Sequence, residues 1–234
     1  MGILDFFFPK YCVNCKKLGS YLCSDCFTFI TFNTFETCLV CVRPTLDGLT
    51  HPGCRGRYTI DGAFASIAYK GVVKKLLYAF KYKPYLLDLK IVLTDLFFEG
   101  LIQKAEFDRA YRSPPAGGPV LVPIPLHPAK LKKRGYNQTE ILAFELSKRL
   151  NLQVKSLLVR TKNTRSQVGL KQKERRENVR EAFSISSDNP FSKHATIFLI
   201  DDILTTGSTL LSAARTLKRG GAKRVFGLAL AIDH

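Results

Sequence analysis

Ile197-Phe198-Leu199-Ile200-Asp201-Asp202-Ile203-Leu204-Thr205-Thr206-Gly207-Ser208-Thr209 is the stretch that orders the rest of the chain. Ile197 to Ile200 has the length and composition of a buried strand, and two adjacent carboxylates end it. A loop of small hydroxyl residues with one glycine follows. A helix is then predicted from Thr209 to Arg219, stopped by Gly220-Gly221. N–H groups in the first turn of a helix have no intrahelical partner and sit at the positive end of the helix dipole, so they suit a phosphate dianion. Thr205, Thr206, Ser208 and Thr209 add hydroxyl donors, and Gly207 lets the backbone come close. Asp201 and Asp202 would repel a phosphate, but suit ribose hydroxyls or a divalent cation. A capped acidic helix start explains the hydroxyls alone. It does not explain two acids at a strand end followed by T-T-G-x-T.

Upstream, strands and helices alternate. Ala63 to Tyr69 is β-prone. Gly71 to Lys81 carries Val72, Val73, Leu76, Leu77 and Phe80 at helical spacing, and Leu86 to Lys104 is a longer helix candidate. Ser113 to Pro119 is a Pro/Gly loop, Val120 to Ile124 a buried strand and Thr139 to Leu150 an amphipathic helix. Asn163 to Arg180 has the polarity of a long loop, and Val225 to Ile232 is a last buried strand. This alternation predicts an α/β fold with a mostly parallel sheet flanked by helices.

All seven cysteines precede residue 55. That break in composition divides the chain into a cysteine-rich domain, 1–57, and an α/β domain, 58–234. Cys12-x2-Cys15 and Cys23-x2-Cys26 are two knuckles, each placing two thiolates on one side of a tight turn, and together they complete a tetrahedron around Zn²⁺. Disulfides fit a cytoplasmic chain poorly, and a redox CxxC needs only one knuckle. Cys38-x2-Cys41 with His51-x2-Cys54 offers a second, Cys3His site. The competing reading leaves Cys54 a spare thiol and His51 a loop residue. Both sites would be structural, with every position filled by protein.

Thirty-six Lys and Arg against nineteen Asp and Glu give a formal charge of +17, which attracts polyanions: nucleic acid, acidic lipid or phosphorylated substrates. Lys130, Lys132, Lys133 and Arg134 follow the Pro-rich stretch. Arg160, Lys162, Arg165, Lys171, Lys173, Arg175, Arg176 and Arg180 crowd the next long loop. Tyr111 and Tyr136 are stacking candidates, although an ordinary packing role suits each better. The apolar start, Gly2 to Phe8, is too short for a signal core or for a bilayer span of about 20 residues, so a cytoplasmic, soluble protein is expected.

The loop resembles the 5-phosphoribosyl 1-pyrophosphate (PRPP) signature of type I phosphoribosyltransferases. Val122-Pro123-Ile124-Pro125-Leu126-His127-Pro128, then Arg134-Gly135-Tyr136-Asn137-Gln138, resembles the signature of the ComF family of competence proteins. So do the cysteine knuckles and the stretch from Arg165 to Phe183 with Gln167, Leu170, Arg175, Asn178 and Ala182. The resemblance implies that Asp201 and Asp202 hold the ribose hydroxyls and that Thr205 to Thr209 hold the 5-phosphate, with Leu204 also among the PRPP-binding residues. It also implies that Ile124, Pro125, Leu126 and His127 form a pyrophosphate loop, with Mg²⁺ accompanying PRPP. In that family the second cluster is often all cysteine, and His51 departs from it.

By the same resemblance the protein would serve the uptake of single-stranded DNA, with other DNA-uptake proteins as partners. Lys132, Lys133, Arg134, Arg165, Arg175 and Arg176 are then candidates for nucleic-acid or pyrophosphate contact. The alternative is a working phosphoribosyltransferase of nucleotide metabolism, and no residue presents itself as its general base.

Overall fold

The computed structural model describes residues 9–32, 34, 36–83, 86, 88–112, 118–163, 181–187 and 196–233. Its strands are β1 (Gly62–Ala68), β2 (Pro119–Pro123), β3 (Gln153–Val154), β4 (Leu158–Arg160), β5 (Phe183–Ile185), β6 (Thr196–Leu204) and β7 (Arg224–Ile232). The helices used below are α1 (Val72–Tyr82), α2 (Leu89–Ile102), α3 (Ala105–Arg112), α4 (Pro128–Arg134), α5 (Gln138–Leu150) and α6 (Ser208–Arg219).

Five strands form one sheet in the order β1-β7-β6-β2-β3, and every pairing in it is parallel. β4 and β5 pair antiparallel as a separate ribbon. Strands covered on both faces need apolar residues throughout rather than in alternation. β7 (RVFGLALAI) meets that demand, being buried from Val225 to Ile232. One face carries Phe64, Phe198, Ile200 and Leu228 against α1, α2 and α5; the other carries Ala65, Val122, Ile197 and Leu199 against α6. α2 lies especially close to β1. A Cβ on Gly100 would come 2.4 Å from Cβ of Ser66, whose hydroxyl donates to the Phe97 carbonyl at 2.7 Å. Among the described residues no helix is long and apolar enough to cross a membrane.

The cysteine-rich segment is tied to this sheet. Thr34 donates its hydroxyl to the Ala65 carbonyl, Lys104 pairs with Glu36 at 3.2 Å, and Leu49 bridges to Gly62.

Several elements differ from the sequence expectations. β6 does not stop at Ile200: Asp201, Ile203 and Leu204 continue the ladder opposite Ala229, Ala231 and Ile232. The nine-residue apolar β7 supplies backbone partners that far, so both acids lie inside the strand. The helix expected from Leu86 to Lys104 is α2, Leu89–Ile102, and a further helix that was not expected, α3, follows at Ala105–Arg112. Arg160 belongs to β4 rather than to a loop. Residues 164–180, with Arg165, Arg175 and Arg176, lie outside the described residues, as do 1–8 and 113–117.

Candidate functional site

In a parallel sheet the carboxyl ends of the strands share one edge, and the connections leaving that edge form a crevice. Pro123 of β2 is opposite Ile200 of β6, so Ile124–His127 and Asp201–Thr209 leave the same edge. Each is held by its own local chemistry. Ile124 donates its N–H to the Ile200 carbonyl, and its carbonyl accepts from the Thr139 hydroxyl at 2.6 Å and from the Asn137 amide at 3.2 Å. His127 caps α4, with Nδ1 accepting from the Ala129 N–H.

The loop after β6 turns into α6 through Gly207, which has φ +68°. Thr206 Oγ1 lies 2.7 Å from the Ser208 hydroxyl. A Cβ on Gly207 would fall 2.8 Å from Cδ2 of Leu39, so the glycine is required both by its left-handed backbone and by the side chain packed against it. Leu39 is the residue after Cys38, and is itself buried.

Side chains alternate along a strand, so the two acids face opposite sides of the sheet. Asp202 is buried on the α1/α5 side. It pairs with Lys81 Nζ at 2.6 Å and accepts from the Gln138 amide at 3.2 Å. Gln138 Oε1 in turn accepts from Arg134 at 2.6 Å, and the Arg134 guanidinium lies over the Tyr82 ring. Burial works against the charge on Lys81, but Asp202 more than offsets it and raises its pKa. Asp201 is half-buried, accepts the Asp202 N–H at 2.9 Å and lies in the field of Arg160. Burial, then the charge of Asp202, pushes its carboxyl up to about 7. On the cationic side, burial lowers the pKa of Lys130, and the nearby charges of Arg160 and Arg134 lower it further. Three cations therefore converge beside the carboxylates, an arrangement that stabilises a multiply charged anion.

The structure thus brings together Asp201, Asp202, Leu204–Thr209, Ile124–His127 and Arg134. Lys132 and Lys133 sit exposed on α4 with no contact to the carboxylates among the described residues. Lys81 and Leu39 were missed, and Gln138 and Arg160, named in the family signature and the basic stretch, were not expected at the carboxylates. Lys81 left a trace, since it follows Val73 and Leu77 at the i+4 spacing of a buried stripe. Tyr111 and Tyr136 have packing roles: their hydroxyls donate to the carbonyls of Leu150 and Phe80.

The cysteines gather into both expected sets: Cys12, Cys15, Cys23 and Cys26, and Cys38, Cys41, His51 and Cys54. Within each set the ligand atoms lie within 4.8 Å of one another. Cys15 Sγ is 3.5 Å from Cys23 Sγ, and Cys41 Sγ is 3.2 Å from His51 Nδ1. Edges of roughly 3.5–3.8 Å are what a tetrahedron with ~2.3 Å Zn–S bonds requires. His51 Nε2 meets the Pro44 carbonyl at 3.0 Å, which fixes the ring and leaves Nδ1 to the cysteines. The backbone N–H of Arg43, then its guanidinium and His51, hold the Cys41 thiol down at about 6, favouring the thiolate that binds metal. Both sets could bind structural zinc.

Residues 138–234 match the family model of the phosphoribosyl transferase domain. The chain is 36% identical over 114 residues to competence protein F of Haemophilus influenzae, covering 47% of this chain and 50% of that protein. It is 36% identical over 106 residues to the DNA utilization protein YhgH of Escherichia coli K12, covering 45% of each. These matches span about half the length of those two relatives. Competence protein ComFC of Bacillus subtilis is 27% identical over 215 residues, covering 88% of this chain and 81% of that protein. An alignment that long cannot be confined to the part after residue 57, so the likeness to competence proteins of the ComF type runs through both the cysteine-rich segment and the phosphoribosyltransferase-type domain.

Proposed function

We propose that the chain binds PRPP at the carboxyl edge of its sheet and binds single-stranded DNA, acting in the cytoplasm on DNA taken up during natural transformation, alongside other DNA-uptake proteins. The observation that carries the PRPP half is the shared edge. There β6 delivers two carboxylates and a glycine-hinged hydroxyl loop to the start of α6, while β2 delivers Ile124–His127. In this reading the α6 N-terminus with Thr205–Thr209 takes the 5-phosphate, and Asp201 and Asp202 take the ribose hydroxyls. Lys130, Arg134 and Arg160 face the pyrophosphate. Mg²⁺ would arrive with the pyrophosphate and neutralise part of its charge, with Asp201 and Asp202 the oxygen donors at this edge.

The DNA half is supported by the +17 charge and by relatives named for competence and DNA utilization. Calorimetric titration with PRPP and Mg²⁺ tests the first half. Saturable binding that disappears in the Asp201→Ala, Asp202→Ala double variant is expected, and no binding by folded, zinc-loaded wild type would defeat it. For the second half, charge reversal at Lys132, Lys133, Arg175 and Arg176 should weaken DNA binding and flatten its salt dependence.

The convergence of Lys130, Arg134 and Arg160 also suits a departing pyrophosphate, which favours phosphoribosyl transfer as a second reading. Pyrophosphate release above the hydrolytic background, in the presence of candidate nucleobases or amines, would establish it.

A further inference from the structure

A second basic surface lies between the first cysteine cluster and α1. It is a groove of about 600 Å³ whose lining includes Tyr11, Tyr21, Tyr69 and Tyr78 and the lysines Lys16, Lys74, Lys75 and Lys83, with no acidic residue. Tyr11 is 50% exposed and Tyr78 61%. α1 (VVKKLLYAFKY) carries no acid anywhere along its length. Of the acids around it, Asp88 pairs with Lys10 at 2.6 Å, Asp25 with Lys17 at 3.1 Å and Asp202 with Lys81 at 2.6 Å, while Asp233 lies in the field of Tyr69 at the groove's margin.

The aromatic surface continues beyond the groove. Tyr78 and Tyr82 are neighbours along α1, their rings tilted by 47° with centroids 4.9 Å apart, and Arg134 lies over Tyr82 at 5.4 Å. Lys74 to Tyr82 spans about 12 Å at ~1.5 Å per residue, a length that a few nucleotides of an extended strand would cover. Singly exposed tyrosines are ordinary, but a row of them interleaved with lysines is not. Rings in such a row present faces on which unpaired bases stack, while the lysines meet the phosphates between them. Sequence-tolerant binding of single strands needs that combination. A duplex offers no free base faces and would gain from the lysines alone.

We propose that this tyrosine- and lysine-lined groove, running from the first cysteine cluster along α1 to Arg134, is where single-stranded DNA lies. The proposal rests on the reading above that the chain binds such DNA. It differs in place from the basic stretches singled out in the sequence, and it leads the strand toward the carboxylate edge.

The test uses the full, zinc-loaded chain and a fluorescein-labelled oligothymidylate, followed by anisotropy. Tyr11→Ala with Tyr78→Ala should raise Kd by about tenfold or more, from lost stacking. The corresponding Tyr→Phe pair keeps the rings and should stay within about twofold. Lys74→Gln with Lys75→Gln should lower the slope of log K against log salt by about 1.4, at ~0.7 per phosphate on a single strand. These side chains lie at the surface, so zinc content and PRPP binding should be unchanged and serve as the folding control. Wild-type binding with unaltered Kd in the tyrosine and lysine variants would overturn the groove alone and leave DNA binding elsewhere on the chain. Duplex bound as tightly as oligothymidylate would overturn the stacking argument. Failure of the wild type to bind any DNA would remove the DNA half of the proposed function, and the groove with it.

Discussion

The first cysteine cluster packs on one face of the sheet and the second on the other. In the first, Cys12, Cys23 and Cys26 are buried in the same core as α1 and α2. In the second only Cys38 is buried, while Cys41, His51 and Cys54 stay half-exposed. The second cluster instead sends Leu39 into the α6-side core, against Gly207 of the loop that leads into α6. The first cluster is therefore an anchor whose metal would hold a segment with little core of its own. The second is a buttress whose metal would set the position of a loop that we read as binding phosphate. Two motifs that look alike in sequence differ in what they press on.

The largest expected effect separates them directly. Cys12→Ser with Cys26→Ser should remove one zinc equivalent and lower Tm by more than roughly 10 °C, because structural zinc supplies much of the folding free energy of its segment. Metal analysis with thermal unfolding measures both, and an unchanged Tm would end the anchor reading. Cys41→Ser should also remove one equivalent, with a smaller loss of Tm but weaker PRPP binding.

Next is the buried pair under the carboxylates. Lys81→Met leaves Asp202 buried without its cation and should cost about 3–5 kcal/mol in chemical denaturation. A cost near zero would mean that Asp202 is better solvated than its burial indicates.

The buttress has its own test. Leu39→Ala should cost about 2–4 kcal/mol and raise the Kd for PRPP about tenfold while zinc stays at two equivalents. Gly207→Ala should be strongly destabilising in the wild type. In the Leu39→Ala background its cost should fall to about 1–2 kcal/mol, the penalty of a left-handed alanine, and the double-mutant cycle reads that coupling. Additive costs would dissociate the knuckle from the loop.

The smallest effect is a pH dependence. Asp201 titrates near 7 in the fold, above its ordinary value of 3.8. Protonated Asp201 therefore contributes stability that is complete below about pH 4 and lost as pH rises through about 7. Asp201→Asn should match the wild type at pH 4 and exceed it at pH 8 by roughly 2–6 °C in Tm. A wild-type curve that keeps its stability through that window would place Asp201 in a more polar setting.

Much of the site was legible because its chemistry is local. CxxC spacing fixes two thiolates on one turn, and Asp-Asp-x-x-Thr-Thr-Gly fixes a strand end, a hinge and a helix start. The parallel α/β class followed from the alternation of apolar runs and amphipathic helices, whereas the strand order, and with it the shared edge of β2 and β6, did not. What was not legible depends on partners distant in sequence. β6 runs on past Ile200 because β7 is equally long and apolar. Lys81 matters because α1 packs where Asp202 emerges. Leu39 matters because Gly207 lies beneath it, and nothing in either segment points to the other. β4 and β5 are three residues each, too short for any period to show, and their pairing spans the stretch between Arg160 and Phe183.

The most direct test of the central claim is a ¹⁵N-resolved NMR titration of the zinc-loaded chain with PRPP and Mg²⁺. The amides of Thr205 to Thr209 should shift most and saturate together, with smaller shifts at Leu39 and none in the Asp201→Ala, Asp202→Ala variant. Saturable shifts confined to another surface, or none at the start of α6, would contradict it.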